Sequence, residues 1–430
     1  MSPPRPPVQL IGTRLDPDAH RVRDFLTRIA QPHELLETGS PEARALLAAR
    51  GATDVPTPAL VDGDEVLGAV TVGALAEAWR LSAPPARAHY DLAIVGAGPA
   101  GLAAAVYAAS DGLSTVVVEA DVPGGQASHT SLIENFFGFV DGIGGAELAR
   151  LAGRQAERFG AELILQRGVV GSAITGAGQE RLVLDGGHAI TADVVIAATG
   201  MIWRRLALPG IDALLDRGVY YGAGRSEAAQ CGGDEVVVVG AGNSAGQAVM
   251  SLAKAGARVT MVVRGESLAR TMSAYLVERI ARHPLVEVRL RSQVTDLHVS
   301  DDRLAAVTIA DASGATQRRT ARALFVCIGG LPRTAWAADA GVQTNAAGYI
   351  LTGPDLLDGG RRPDAWAPER DPLALETSVP GLFAAGDVRS GSTKRVAGAV
   401  GEGAMAVALV HRRLEELTIA RDDREPGAAV

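Results

Sequence analysis

The chain has 430 residues, enough for about three domains of ordinary size. Its net charge of −8 disfavours nucleic acid or an anionic membrane as the main partner, and an aromatic content of 4% argues against base-stacking surfaces. Two cysteines, Cys231 and Cys327, exclude a disulfide framework or a cysteine-rich metal centre, and no stretch reaches the ~20 apolar residues that span a bilayer.

In chain order, the opening MSPPRPPVQLIG lacks an apolar signal core, and the chain is expected to be cytoplasmic. Residues 1–82 read as a small α/β domain: a strand at Val8–Gly12, a helix near Asp18–Ile29, a second near Pro41–Arg50, and a turn-rich stretch from Pro56 to Gly68. Residues 83–90, with Pro84 and Pro85, read as a linker.

Leu92–Ser110 then runs from an apolar strand through a glycine-rich turn into a small-residue helix, with Gly96, Gly98 and Gly101 at the turn and Pro99 and Ala100 between them. The first glycine of such a turn permits a tight bend, the second lets a pyrophosphate approach, and the third brings helix and strand together. The helix N-terminus offers free N–H groups to phosphate. The next strand, Val116–Val118, ends at Glu119, an acceptor for ribose hydroxyls, and the pattern suits FAD. Further on come Gly124-Gly125-Gln126, His129, the segment Ile133–Phe139, and a strand Ala192–Gly200 closing on Thr199-Gly200.

A second strand–turn–helix spans Glu235–Gly256, with Gly240, Gly242 and Ala245 at the turn and Asn243 and Ser244 inside it. Its following strand ends at Arg264, with Arg270 beyond, so a 2′-phosphate meets cations and the pattern suits NADPH. After it come Leu324–Gly330 and Gly381–Val388, where Gly386-Asp387 follows an apolar strand, then a helix at Val396–Leu414 whose N-terminus is suited to face the pyrimidine edge of a flavin. The expected fold is α/β: two nested doubly wound dinucleotide-binding domains and a small front domain. The first nucleotide domain takes residues 91–205 and 325–415, the inserted second takes 206–324, and 416–430 form a tail.

These motifs, with Gln155–Glu162 (QAERFGAE), occur in an order that resembles the low-molecular-weight thioredoxin reductases from about Asp91 to Leu414. The resemblance implies an FAD domain, an inserted NADPH domain, and a homodimer built through FAD-domain helices. It places Gly125, Gln126, Glu134 and Asn135 near the flavin, and Asp387 and Arg395 at its ribityl and ring ends. Here Val396 stands where that family carries a glutamine. The front domain resembles a thioredoxin or glutaredoxin fold, in which Val55-Pro56-Thr57 would match the cis-proline loop. Where that fold carries a redox Cys-x-x-Cys, this chain has Leu15-Asp16-Pro17-Asp18.

The resemblance also implies a Cys-x-x-Cys in the NADPH domain, yet Gly222 and Arg225 occupy those positions within Gly218–Gln230. Disulfide exchange needs a thiolate, which neither residue supplies. Cys231 reads as a loop thiol, and Cys327 as a small core residue in a strand of the other domain. The expected function is therefore an NADPH-dependent flavin oxidoreductase acting on a small molecule, a quinone or an electron-carrier protein. Candidate acceptor contacts are Tyr220, Tyr221, Arg225, His129 and Trp203, and His129 alone has an ordinary pKa suited to proton transfer near neutrality. Two alternatives are a nucleotide-sensing scaffold that docks a partner through the front domain, and a flavin monooxygenase.

Overall fold

The structure, a computed structural model, describes residues 6–13, 16–130, 132–174, 179–222, 228, 230–338 and 340–422. In the front domain a sheet of order β2-β1-β3-β4 is built from β1 (Val8–Gly12), β2 (His33–Glu37), β3 (Ala59–Asp62) and β4 (Glu65–Leu67). Strands β1 and β2 are parallel, and β3 runs antiparallel to both β1 and β4. Helices α1 (Pro17–Arg28) and α3 (Val72–Ala78) pack on one face, and α2 (Pro41–Ala48) on the other. Asp16 starts α1 by accepting the Ala19 N–H at 2.9 Å, ahead of Pro17 at the first helical position. Val22, Phe25 and Leu26 then recur at helical spacing and are buried against β1. The cis peptide bond is Thr57–Pro58, directly before β3, and not in the expected Val55-Pro56-Thr57.

The first dinucleotide domain has a seven-stranded sheet. Strands β5 (His89–Val95), β6 (Thr115–Val118) and β7 (Glu162–Ile164) are parallel, and the long β10 (Ala189–Ala197) lies beside β5. The front half of β10 pairs antiparallel with β9 (Glu180–Leu184), which pairs with β8 (Val169–Ile174), and its end pairs parallel with β21 (Leu382–Ala384). Helix α4 (Pro99–Ser110) is buried on nearly every side between this sheet, α5 (Gly145–Phe159) and the last helix, which explains its run of alanines.

In the second domain five parallel strands have the order β12-β19-β13-β14-β15, with β12 at Val219–Tyr221, β13 at Glu235–Val239, β14 at Arg258–Val262, β15 at Val286–Arg289 and β19 at Ala323–Val326. Helices α6 (Asn243–Lys254) and α7 (Ala274–Arg282) cover one face, and the antiparallel ribbon β16 (Gln293–Ser300), β17 (Arg303–Ala310) and β18 (Thr316–Thr320) packs on the other. Strand β19 pairs with both β12 and β13, so the expected return to the first domain at residue 325 is corrected. The crossing comes later, where β20 (Gly330–Pro332) pairs with β11 (Met201–Trp203) as a two-stranded hinge between the domains. Cys327 consequently shares a core with Cys231 in the second domain, contrary to the sequence expectation. After the short α8 (Ala335–Ala338), the chain ends in α9 (Val396–Asp422). The expected tail from 416 is helical through its first turns, because Glu416 accepts from Arg413 at 3.0 Å and from Arg370. The closing Arg424–Val430 lie outside the described residues.

The front domain is docked and not tethered loosely. Val122 of the first dinucleotide domain completes its core, and the Leu81 carbonyl accepts the Leu165 N–H at 3.0 Å. Arg28 of α1 reaches Asp121 at 2.6 Å and Ser128 at 3.1 Å, while Arg21 reaches Asp216 of the second domain at 3.2 Å.

Candidate functional site: a dinucleotide cleft beside an aromatic cavity

A cleft of about 650 Å³ runs along the carboxyl ends of β5, β6 and β10. It brings together Gly96, Gly98, Pro99, Ala100, Glu119, Gly125, Gln126, Thr199, Gly200, Gly386, Asp387, Arg395 and Val396, residues spread over 301 positions of the chain from 96 to 396. The turn is formed by close backbone approaches. Gly96 has φ +108°, and a Cβ there would stand 2.4 Å from the Ala198 carbonyl oxygen. Gly101 does not line the cleft: a Cβ on it would stand 1.9 Å from the Gly96 oxygen, so its absence lets helix and turn touch. At Gly98 an added Cβ would meet nothing, and the first turn of α4, uncapped by any side chain, opens there into empty space.

Glu119 is buried, and its two oxygens accept the Ala97 N–H at 2.7 Å and the Asp121 N–H at 2.9 Å. Burial pushes its carboxyl pKa up while those donors oppose the shift. Burial likewise raises the Asp387 carboxyl, opposed by the Lys394 ammonium. Gln126 donates to the Met201 carbonyl at 2.7 Å and so ties this wall to the hinge. Asn135 is exposed and lies off the cleft, and Glu134 instead pairs with Arg279 of α7 at 2.8 Å. Residues the sequence did not single out also line it, notably Arg28, Asp121, Arg333 and Lys394. Asp121 stands two residues past the ribose-type acid, a local signal, whereas nothing near Arg28 in the sequence points to a site 100 residues away.

The second turn has the same construction. Gly240 has φ +148°, and a Cβ would stand 2.2 Å from the Cys327 oxygen, while Ala245 is buried and Gly242 faces open space at the start of α6. Asn243 is occupied structurally, accepting the Ser273 N–H at 2.7 Å. Ser244 and Cys327 reach the first cleft, so this turn faces it. Arg264 and Arg270 are exposed beyond β14, and the nearby Glu266 is drawn to Arg291 at 3.0 Å.

A separate cavity of about 670 Å³ adjoins the cleft, and His129, Ile202 and Trp203 line both. Tyr220 and Tyr221 line it from β12, where Tyr221 accepts the Leu206 N–H through its hydroxyl at 3.0 Å. Gly222 adjoins them, and a Cβ there would stand 3.1 Å from the Trp203 ring. Arg225 lies outside the described residues. The expectation for His129 as a proton donor near neutrality is corrected: burial, with the Arg28 guanidinium beside it, lowers its pKa to about 3. It is a neutral ring at neutral pH.

Nested nucleotide turns over a shared cleft define a two-dinucleotide oxidoreductase, and a family model described as pyridine nucleotide-disulphide oxidoreductase matches residues 90–403. The chain belongs to that family. It is 33% identical over 329 residues to a thioredoxin reductase of Bacillus subtilis, covering 76% of this chain and 96% of that protein. It is 34% identical over 346 residues to one from Streptomyces clavuligerus, covering 78% and 98%. Among solved structures, the Lactococcus lactis thioredoxin reductase in its FR conformation superposes with a TM-score of 0.67 at 27% identity, covering 76% of this chain and 99% of that one. Thioredoxin-reductase-like members of this family are flavoproteins that use FAD and NADPH, and they are typically homodimers. Among the described residues, no helix is long and apolar enough to cross a membrane.

Proposed function

We propose that this chain is an NADPH-dependent FAD oxidoreductase of thioredoxin-reductase architecture whose acceptor is not a disulfide. The observation that carries the reading is the state of its sulfur. The chain has two cysteines, both buried in the core of the second domain, and burial pushes the Cys327 thiol up to about 12. Neither offers the accessible thiolate that disulfide exchange requires. Gly222 stands against Trp203 where the resemblance calls for a sulfur.

In this reading the cleft holds FAD, with Glu119 on the ribose, the open first turn of α4 on the pyrophosphate, and Asp387 with Arg395 and Val396 toward the flavin. The empty volume at Gly98 supports the fit, because any side chain there would fill the space a phosphate needs. FAD supplies two-electron storage, and the chain's own residues orient it and shield it. The Gly240–Ala245 turn holds NADPH, with exposed Arg264 and Arg270 on the 2′-phosphate and Glu266 neutralised by Arg291. The 2-1-3-4 strand order of the front domain supports a thioredoxin-like fold without a redox motif. Exposed Tyr107, Leu151, Phe159 and Met405 on α4, α5 and α9 support a homodimer through the first domain.

Anaerobic mixing tests the reading. NADPH is expected to bleach the bound flavin faster than NADH does, and the reduced enzyme is expected to leave thioredoxin disulfide untouched while small-molecule acceptors restore the yellow form. Rapid thioredoxin reduction, or a flavin that stays yellow, overturns it.

A further inference from the structure

We propose that the 670 Å³ cavity is the acceptor site and that it takes a planar aromatic two-electron acceptor of the quinone class, with the front domain forming one of its walls. The proposal rests on the function proposed above and names the substrate class of that enzyme. Position comes first. The cavity shares His129, Ile202 and Trp203 with the dinucleotide cleft, so a ligand in it lies next to whatever the cleft holds.

Its walls are rings. His129 meets Trp203 edge-on with centroids 6.1 Å apart, and Tyr220 is held between His20 and Phe325 at 5.2 and 5.4 Å. Glycine at 222 matters here, since its bare Cα lets the Trp203 ring rest against the backbone. The aromatic faces, with Ile202, Leu215, Val219 and Leu331 beside them, favour a flat ring, and the charged groups at the rim favour one that carries polar oxygens. With both thiols buried, such a ligand takes electrons without disulfide exchange, as a conjugated ring does.

The polar groups favour developing negative charge on oxygen. Asp24 and Asp216 face Arg28 at 3.6 Å and Arg21 at 3.2 Å, and Arg205 is engaged by Asp212 at 3.2 Å. Arg204 is exposed at the cavity and has no ion-pair partner among the described residues. Its guanidinium is available to a quinone carbonyl as that oxygen gains electron density. In the net reaction the nicotinamide is oxidised by losing a hydride, solvent supplies one proton, and the two quinone oxygens each end with one hydrogen. The front domain contributes His20 and Asp24, and it precedes the family match, which begins at residue 90. This wall therefore belongs to the added domain.

The test uses the oxidised full-length holoenzyme, without NADPH, and a dimethylated naphthoquinone whose blocked ring positions cannot add thiols. Calorimetry is expected to show one binding site per chain. Trp203→Ala should weaken binding about tenfold by removing a stacking face, and Leu331→Trp, which fills the cavity from β20, should weaken it at least as much. Arg204→Ala should weaken it several-fold and Arg204→Lys should restore part of the loss. Circular dichroism verifies that each variant is folded, and binding is compared per flavin-loaded chain. Naphthoquinone that does not bind, or that binds equally well to Leu331→Trp and Arg204→Ala, overturns the cavity assignment even where NADPH bleaches the wild-type flavin. Failure of NADPH to bleach it instead overturns the underlying function, so the two failures are separable.

Discussion

His129, half-buried between cleft and cavity, and the buried Glu180 have titrations that act on stability with opposite signs. The folded pKa of His129, about 3, lies below its ordinary 6.5, so the unfolded chain binds the extra proton between those values. Stability from this residue is lost as pH falls from about 6.5. His129→Gln should remove that loss, narrowing the stability difference between pH 7 and pH 5 by on the order of 1–2 kcal/mol in denaturant titrations. Glu180 is buried with no hydrogen-bond partner on either oxygen among the described residues, and burial raises its pKa to about 7. Its folded form holds the extra proton, so its contribution is intact at low pH and lost as pH rises through 7. Arg264 belongs at the same scale. Arg264→Ala should raise the KM for NADPH roughly 10- to 100-fold, as expected for a charged hydrogen bond of about 1.5–3 kcal/mol, and leave NADH unchanged. Equal loss for both nucleotides in steady-state assays would show that it does not read the 2′-phosphate.

Among the elements, the strand–turn–helix units were legible because their requirements are local. Gly98 and Gly101 illustrate two different reasons for glycine. Gly98 has φ −69°, open to any residue, and empties a cradle, whereas Gly101 permits contact with the Gly96 oxygen. Gly98→Val is therefore expected to purify with a strongly reduced flavin-to-protein ratio and to melt where the flavin-stripped wild type melts, since the substitution itself costs the fold nothing. Gly101→Ala should cost about 1–3 kcal/mol of stability by overpacking, seen as a lowered melting temperature. Strand β19 was placed in the wrong domain because LFV is apolar enough for any buried parallel strand, and only its pairing with β12 and β13 assigns it. The helix that ends the chain was expected to stop at Leu414, since the anchor that extends it, Glu416 with Arg370, joins residues 46 apart.

For the whole molecule, the docking of the front domain decides what surrounds the cleft. Arg28 is 11% exposed and holds Asp121 and Ser128, while Arg21 and His20 reach Asp216. Arg28→Ala should weaken that docking by roughly 1–3 kcal/mol, and limited proteolysis should cut the 83–90 linker faster than in wild type. An unchanged cleavage rate would show that Val122 and the apolar core alone hold the domain. The sequence by itself determined that two dinucleotides are read, that the strand after one turn ends in an acid and the strand after the other in a base, and that neither cysteine sits in a Cys-x-x-Cys, because each depends on residues a few positions apart. The tertiary structure decided which domain owns β19, why His129 stays neutral, and that α1 walls a cavity beside the hinge. Those follow from burial and from contacts between segments more than a hundred residues apart, which no local pattern encodes.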